Sequence, residues 1–361
     1  MSYVVAIDAG TTGVRSRAVF DDGREPVSSY LEFTQYFPAP GLVEHDADEI
    51  WSATKKTLAD VVDKVGSLPA AIGITNQRET VVAWDRATGT TLGRAIVWQD
   101  RRTSQRCAEL APHLDLIRAT TGLVLDPYFS GTKIEWMLTN GVPRIDTLAF
   151  GTIDTWLLWN LTGGAVFATD ESNASRTLLW DIRRHEWSTE ICRILDIPVA
   201  SLPTVRDSSG RFGTTATADL PTGIPISGIA GDQQAALFGQ ACFAEGDAKN
   251  TYGTGSFVLM NAGTTCPPPT EGMLTTVAWR LGGVTTYAVE GSIFVTGAAV
   301  QWLRDGLGII RESGDIEELA GRVTDSGGVV FVPALTGLGS PWWDPDARGA
   351  VFGITRGTTA A

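Results

Sequence analysis

Hydrophobic and polar positions alternate along the first part of the chain, as in half-buried strands. Residues 3–9 and 14–20 are rich in β-branched and apolar residues, and the segment between them has turn character. The pattern predicts a β-hairpin followed by a third strand over residues 27–34. We call residues 10–13, Gly-Thr-Thr-Gly, the first tip.

A helix is predicted to begin after Asp46. Asp46 and Glu49 have the spacing of a capping box, with aspartate at the cap. Strands are then predicted over residues 70–75 and 80–84, so strands, helix and further strands indicate α/β layers around a mixed sheet. Apolar and small residues recur on one helix face at Ile50, Trp51, Thr54, Leu58, Val61, Val62 and Val65.

The later sequence predicts less regular structure and then an echo of the N-terminus. Residues 198–225 are rich in Pro, Ser, Thr, Gly and Asp, which indicates exposed connections with little helix. After an Ala-rich helical stretch, a second hairpin is expected around Gly253-Thr254-Gly255, which we call the second tip. The echo predicts two related domains, residues 1–245 and 246–361. Further helices are predicted over residues 103–111, 131–140 and 155–161.

The length, charge and cysteine content of the chain exclude some classes of protein but do not identify its function. A chain of 361 residues, 43% hydrophobic and 19% charged, is long enough for two domains with buried cores. Its net charge of -13 argues against nucleic acid or an anionic membrane as a partner. The four cysteines lack the spacing of a zinc site or disulfide framework, and no segment has the length of a membrane span, so we expect a cytoplasmic protein.

The two glycine-threonine tips are candidate halves of a phosphate clamp. Glycines allow tight turns that aim N–H groups at an anion, and threonine hydroxyls add donors. Asp8, at the end of the first strand, could hold a cation beside the phosphates. An ordinary hairpin is the alternative for either tip alone.

Polar and aromatic residues near the tips suggest a second kind of site. Arg78 and Glu79 lie between two apolar strands, where they form either a structural ion pair or a grip on the hydroxyls of a polyol. Trp98 is either a core residue or an apolar wall for a small ligand. Tyr128 either packs in a loop or supplies a phenolic hydrogen bond.

Asp232 is the candidate general base. It follows Gly231 at a loop that enters a helix, so an N-cap aspartate is the alternative. A phosphoryl-transfer enzyme needs a carboxylate that orients the acceptor hydroxyl and takes its proton.

Several blocks, in order along the chain, resemble those of the FGGY carbohydrate kinase family, and the Gln-Arg-Glu block resembles its glycerol-phosphorylating members in particular. The similarity runs from Tyr3 to the last residues. The blocks are Asp8-Ala9-Gly10-Thr11-Thr12, Gly73-Ile74-Thr75-Asn76-Gln77-Arg78-Glu79, Trp98-Gln99-Asp100-Arg101-Arg102, Asp126-Pro127-Tyr128-Phe129-Ser130-Gly131-Thr132-Lys133, Gly231-Asp232-Gln233-Gln234 and Asn250-Thr251-Tyr252-Gly253-Thr254-Gly255.

The resemblance implies a two-domain actin/Hsp70-like, ribonuclease-H-like ATPase fold and the ATP-dependent phosphorylation of glycerol to sn-glycerol 3-phosphate, the first step of glycerol catabolism. It implies ATP and Mg²⁺, no membrane insertion and a homo-oligomer. Asp8 would position Mg²⁺, through water. The glycerol site would comprise Arg78, Glu79, Trp98, Tyr128, Asp232 as general base, Gln233 and Phe257. The nucleotide site would comprise Thr11, Thr12, Arg15, Thr254, Gly297 and Gln301.

The chain also departs from the family pattern. Ala9 stands where many members have glutamine, and residues 218–224 lack the loop through which some bacterial members bind fructose 1,6-bisphosphate, so we expect no inhibition by that compound. Relatives continue for well over a hundred residues beyond Ala361, with the rest of the adenosine pocket. The resemblance therefore implies an incomplete second domain, and either a fragment or weakened nucleotide binding. Another small polyol or sugar remains the alternative substrate.

Overall fold

A computed structural model describes residues 2–361. Runs of strands are separated by one or more helices, with two additional 3-10 turns at residues 111–113 and 199–201. The strands are β1 (Tyr3–Ala9), β2 (Gly13–Phe20), β3 (Val27–Glu32), β4 (Gln35–Tyr36), β5 (Glu44–His45), β6 (Ala71–Asn76), β7 (Val81–Asp85), β8 (Ala95–Ile96), β9 (Leu148–Thr152), β10 (Ala168–Asp170), β11 (Trp180–Asp181), β12 (Glu186–Trp187), β13 (Thr204–Arg206), β14 (Ser209–Thr214), β15 (Pro225–Gly231), β16 (Ala248–Tyr252), β17 (Ser256–Asn261), β18 (Leu274–Leu281), β19 (Val284–Ile293), β20 (Val330–Val332) and β21 (Ala350–Phe352). The helices are α1 (Ala47–Val65), α2 (Ser104–Glu109), α3 (Leu114–Thr121), α4 (Ser130–Thr139), α5 (Ile153–Leu161), α6 (Glu171–Ala174), α7 (Thr189–Ile194), α8 (Asp232–Gly239), α9 (Gly297–Asp305) and α10 (Asp315–Ala320).

A six-stranded mixed sheet, in the order β14-β15-β6-β1-β2-β3, organises the first half of the chain. Strands β1, β2 and β3 form an antiparallel meander, whereas β6 and β15 run parallel to β1. The carboxyl ends of β1, β6 and β15 therefore meet at one edge of the sheet. That edge receives Asp8, the Arg78-Glu79 segment and Asp232.

The hydrophobic pattern of α1 explains how one face of this sheet is covered. Ile50, Leu58 and Val61 are fully buried, and they belong to a core with the inward residues of β1 and β2. The alternation in β1 places every second side chain in that core. Ala9 is one of them, so its difference from the family pattern lies in this core and outside residues 10–13 of the first tip.

The predicted elements are confirmed to within a few residues, with three corrections. Residues 198–225 lack α-helix as predicted, but they contain β13 and β14, and β14 is an edge strand of the six-stranded sheet. Strand β3 ends at Glu32, two residues before the predicted end. The capping box is only half formed: the Asp46 carboxylate accepts from the N–H groups of Asp48 and Glu49. The Glu49 side chain instead accepts from the Thr34 N–H (2.9 Å) and the Tyr36 hydroxyl (2.6 Å), since the loop before α1 folds back beside it.

The second half contains a four-stranded antiparallel sheet in the order β16-β17-β19-β18. The β16–β17 hairpin carries the second tip, as predicted. Helix α8 packs against both β15 of the six-stranded sheet and β16 of the four-stranded sheet, so it connects these two sheets directly. Among residues 2–361, none of the helices has the length and apolar character needed to cross a bilayer.

Candidate active site

A cavity of about 150 Å³ lies where the edge of the first sheet faces the second tip. It brings together all seven residues predicted to contact glycerol, together with Thr11 and Thr254 from the two tips. Gly253 and Gly255 of the second tip also line it, as does Thr251, which the sequence analysis did not single out. The lining residues are Thr11, Arg78, Glu79, Trp98, Tyr128, Asp232, Gln233, Thr251, Gly253, Thr254, Gly255 and Phe257.

Strand register explains why distant segments meet here. Asp8 on β1 lies opposite Thr75 on β6, and Gly231 on β15 lies opposite Asn76. Arg78 and Glu79 then leave the end of β6 in a tight turn. Glu79 has φ 62°, a left-handed backbone conformation that is uncommon for a residue with a side chain.

Arg78 is held rigidly, with one donor left over. Its guanidinium forms a bidentate pair with Glu290, at 2.6 and 2.9 Å, and donates to the Tyr128 hydroxyl at 3.0 Å and to the Gln234 side-chain oxygen at 3.3 Å. The Nε atom lies 3.7 Å from Glu79 and 3.5 Å from Asp232, too far for a good hydrogen bond. The Nε–H group is therefore available to a ligand in the cavity.

Arg78 and Glu79 belong to a cluster of two arginines and two glutamates, which we call the buried ion quartet: Arg78, Glu79, Arg176 and Glu290. Arg176 donates to Glu79 at 2.6 Å and to Glu290 at 3.0 Å, and all four side chains are buried. The structural ion pairing is therefore confirmed, and because Arg78 and Glu79 also line the cavity, the grip on a polyol stays a prediction.

Sequence reasoning missed Arg176 and Glu290. Glu290 is the single charged residue of strand β19, which is a signal for a buried ion pair. Desolvation opposes its ionisation, but Arg176 and Arg78 outweigh that effect and lower the pKa of Glu290 to about 2. Burial raises the pKa of Tyr128, so its hydroxyl keeps its proton.

Aromatic rings form one wall of the cavity. Trp98 contacts Tyr128 and Phe257 edge to face, with ring centroids 5.7 and 6.1 Å apart. Its indole Nε1–H donates to the Thr11 hydroxyl at 3.0 Å, which ties this wall to the first tip. Trp98 is only partly buried, and Tyr128 is almost completely so. Both line the cavity, so neither serves only to fill the core.

Asp232 is the first residue of α8, and its N-cap is Gly231, so the N-cap alternative is wrong. The Gly231 N–H donates to the Ser172 hydroxyl at 3.0 Å, which fixes the approach to the helix. The Asp232 side chain is 36% exposed, toward the cleft. Desolvation raises its pKa, with Arg78 opposing the rise and Asp8 adding to it. A more basic carboxylate facing an open cleft is suited to accept a proton.

Lys249 is a buried cation that sequence reasoning missed. Its ammonium group donates to the Gln233 side chain, to the Thr251 hydroxyl (2.8 Å) and to the Phe257 carbonyl (3.2 Å). Burial, together with the charge of Arg78, lowers the pKa of Lys249 to about 8. The only sequence signal is position, since Lys249 and Thr251 occupy the same face of β16. Lys249 fixes the amide of Gln233 on the floor of the cavity.

The two tips have different surroundings. In the first, the Gly10 N–H donates to the Gly13 carbonyl at 3.0 Å, and Asp8 and Arg15 lie opposite each other on β1 and β2. Thr12 is exposed, 3.4 Å from the Tyr30 hydroxyl. Desolvation raises the pKa of Asp8, which Arg15 opposes.

The second tip contacts the start of α9. The N–H groups of Gly297 and Ala298 donate to the carbonyls of Gly253 (2.9 Å) and Thr254 (3.1 Å). A Cβ at position 297 would lie 2.5 Å from the Gly253 oxygen, so this close approach requires glycine. Gln301 is exposed about one turn further along α9 and does not line the cavity. Gly297 therefore contacts the second tip, and both Gly297 and Gln301 lie outside the cavity.

Comparison with known proteins places this site in a family. A model of the N-terminal domain of the FGGY family of carbohydrate kinases matches residues 3–239, and one of its C-terminal domain matches residues 248–361. A glycerol kinase of Alkalilimnicola ehrlichii is 54% identical over 99% of this chain and 74% of its own length. Glycerol kinase 2 of Thermotoga maritima is also 54% identical, with the same coverage of both chains. The chain thus spans about three quarters of these relatives.

Solved structures agree with the sequence relatives. A crystal structure of Plasmodium falciparum glycerol kinase with ADP superposes with a TM-score of 0.89 at 36% identity, covering 100% of this chain and 74% of that one. A ligand-bound xylulose kinase from Lactobacillus acidophilus has a TM-score of 0.87 at 20% identity, which supports the fold alone. The predicted two-domain actin/Hsp70-like, ribonuclease-H-like fold is confirmed. By these matches along its whole length, the chain belongs to the FGGY family of carbohydrate kinases.

Proposed function

We propose that the chain transfers the γ-phosphoryl group of ATP to glycerol, giving sn-glycerol 3-phosphate. The observation that carries this proposal is the cavity of about 150 Å³ that combines a free Arg78 donor, two carboxylates and an aromatic wall. It is smaller than the roughly 300–1,000 Å³ of pockets for drug-sized ligands, and so suits a small polyol. The glycerol kinases at 54% identity support the same substrate.

Glycerol has three hydroxyls on a short carbon chain, and the cavity offers partners for both parts. Arg78 Nε–H donates, while Glu79 and Asp232 accept, since carboxylates bind hydroxyl protons. Tyr128 keeps its proton and accepts from Arg78, so its hydroxyl can donate to the substrate. Trp98 and Phe257 flank the carbon atoms, and Gln233, oriented by Lys249, adds a polar contact.

Asp232 acts as general base in this proposal. It accepts the proton of the glycerol hydroxyl as the phosphoryl group arrives from the direction of the two tips. Because the transition state resembles metaphosphate, alignment and neutralisation of charge contribute more than the strength of the base. On the nucleotide side we assign Thr11, Thr12, Arg15, Thr254, Gly297 and Gln301.

Mg²⁺ fits the residues of the cleft. Within the part of the chain that the structure describes, no group of three or more His, Cys, Asp or Glu is arranged to hold a metal ion. Mg²⁺ usually keeps several waters and needs only one or two protein carboxylates in addition to phosphate oxygens. Asp8 faces the cleft close enough to Asp232 to raise its pKa, and is suited to hold the ion through water. The ion would neutralise charge on the transferring phosphates.

The remaining proposals concern organisation. Residues 1–245 would form the domain with the glycerol pocket and first tip, and residues 246–361 would carry the second tip. Closure of the two over bound glycerol would exclude water and suppress hydrolysis of ATP. The protein would act in the cytoplasm at the start of glycerol breakdown, as a homo-oligomer.

Trp98→Ala is expected to weaken glycerol binding by about tenfold, because it removes the apolar wall against the glycerol carbons and burial is worth about 0.8 kcal/mol per CH₂ group. Calorimetric titration of glycerol gives the dissociation constant. Trp342→Ala is the matched control, because Trp342 is 69% exposed and lies outside the cavity. An unchanged dissociation constant in Trp98→Ala, or no glycerol binding by the folded wild-type chain, contradicts the proposed site.

A further inference from the structure

We propose that His45, acting through Gln77, positions the first tip for the nucleotide phosphates. His45 lies on β5, outside the cavity, and is fully buried. Gln77 belongs to the block that otherwise supplies glycerol contacts, yet it does not line the cavity either. The two side chains form a buried relay that ends at the backbone of the tip.

Gln77 is bonded to the tip by both backbone and side chain. Its backbone N–H donates to the Ala9 carbonyl at 2.8 Å, and its side-chain Nε2 donates to the Gly10 carbonyl at 3.0 Å. The side-chain Oε1 accepts from the Thr80 hydroxyl at 2.9 Å. Gln77 therefore holds the strand end immediately before Thr11 and Thr12.

His45 completes the hydrogen bonding of the Gln77 amide. The ring Nε2 lies 2.7 Å from the Gln35 side-chain oxygen, which can only accept, so Nε2 carries the proton. Nδ1 is then the acceptor for the second N–H of Gln77, at 3.3 Å. Burial lowers the pKa of His45 to about 4, with Glu49 opposing that effect, so the ring is neutral and this acceptor is present near neutral pH.

The same relay touches the wall of the glycerol cavity. The Thr80 hydroxyl, which donates to Gln77, accepts from the Trp98 backbone N–H at 3.3 Å, and the Trp98 indole donates to Thr11. The first tip is thus held at two points, by Gln77 at Gly10 and by Trp98 at Thr11. Because His45, Gln77 and Thr80 are all buried, water cannot replace a lost partner.

Two substitutions of His45 separate positioning from simple packing. In His45→Asn the amide oxygen can stand where Nδ1 stands and still accept from Gln77. In His45→Gln the amide reaches toward Gln35 and leaves the second Nε2–H of Gln77 without an acceptor. Both lose the ring contact with Phe33, whose centroid lies 5.0 Å away, so both lose packing. A purely structural role predicts the same behaviour for both variants.

We expect His45→Gln to raise the KM for ATP by about threefold to tenfold, the loss expected for one hydrogen bond, with the KM for glycerol within twofold of wild type. His45→Asn should stay within twofold for both substrates. Equal KM values for ATP in the two variants, or a parallel rise in both KM values, overturn the proposal. If either variant fails to fold, Gln77→Met replaces it. An unchanged KM for ATP in Gln77→Met would also overturn the proposal.

These kinetic results rest on the proposed function, so a measurement without turnover accompanies them. Hydrogen–deuterium exchange of the amides of residues 9–13 is expected to rise about threefold or more in His45→Gln and to stay near wild type in His45→Asn. If the two variants differ in exchange but the wild-type chain shows no glycerol-dependent turnover, the proposed function is wrong and the relay is supported. Exchange that is the same in both variants would refute the relay alone.

Discussion

Asp232→Asn is expected to reduce glycerol-dependent turnover by about 10²–10⁴-fold, the range typical for loss of a general base. The amide keeps the shape and still offers an oxygen to a glycerol hydroxyl, but it cannot take the proton. Glycerol affinity should therefore stay within a few-fold of wild type. Rates of ADP release at saturating substrates measure the first quantity, and calorimetric titration measures the second.

Two further observations check the assignment of Asp232. Desolvation raises its pKa, so turnover should begin to fall with decreasing pH at a higher pH than an ordinary exposed aspartate would give. Asp219→Asn is the matched control, because Asp219 is exposed and pairs only with Lys55 on the surface. Its turnover should match wild type. Unaltered turnover in Asp232→Asn would remove Asp232 from the mechanism.

Glu290→Gln is expected to lower the free energy of unfolding by about 3–5 kcal/mol, because it leaves the charges of Arg78 and Arg176 buried with one carboxylate between them. Urea unfolding measures the change. Glu318→Gln provides the comparison, since Glu318 is exposed in an i,i+4 pair with Arg322 and should change stability by no more than about 0.5 kcal/mol. Similar losses in the two variants would show that the buried ion quartet is not a special source of stability.

The pH dependence of stability follows from the same group. The folded-state pKa of Glu290 is about 2, below the roughly 4.3 of an unperturbed glutamate. Its stabilisation is therefore fully present above about pH 4.3 and is lost as the pH falls through about 2. The difference in unfolding free energy between wild type and Glu290→Gln should shrink over that interval. A constant difference would contradict the assigned pKa.

The local parts of the site could be predicted from the sequence. Strand alternation placed Tyr3–Ala9, and glycine-threonine turns marked both tips, because each signal depends on neighbouring residues. The parallel pairing of β1, β6 and β15 then explains why the Arg78-Glu79 segment and Asp232 share an edge. Pairing of this kind is set by packing of the whole sheet, and a single sequence indicates it only through resemblance.

The partners that hold the site together could not be predicted in the same way. Glu290 bonds to Arg78 across 212 positions, and Arg176 bonds to Glu79 across 97. Such contacts leave no periodic trace, and a lysine such as Lys249 is normally expected at a surface. Glu49 shows an error of the opposite kind, in a local motif. The capping box was predicted from local spacing, but the Glu49 side chain bonds to the Thr34 N–H and not to the helix cap.

ADP release from ATP, measured with and without glycerol, tests phosphoryl transfer to glycerol most directly. The account predicts turnover that depends on glycerol and yields one sn-glycerol 3-phosphate for each ADP. Equal ADP release with and without glycerol would indicate an ATP-driven switch with this fold. The folded chain releasing no ADP in either case would equally contradict the account.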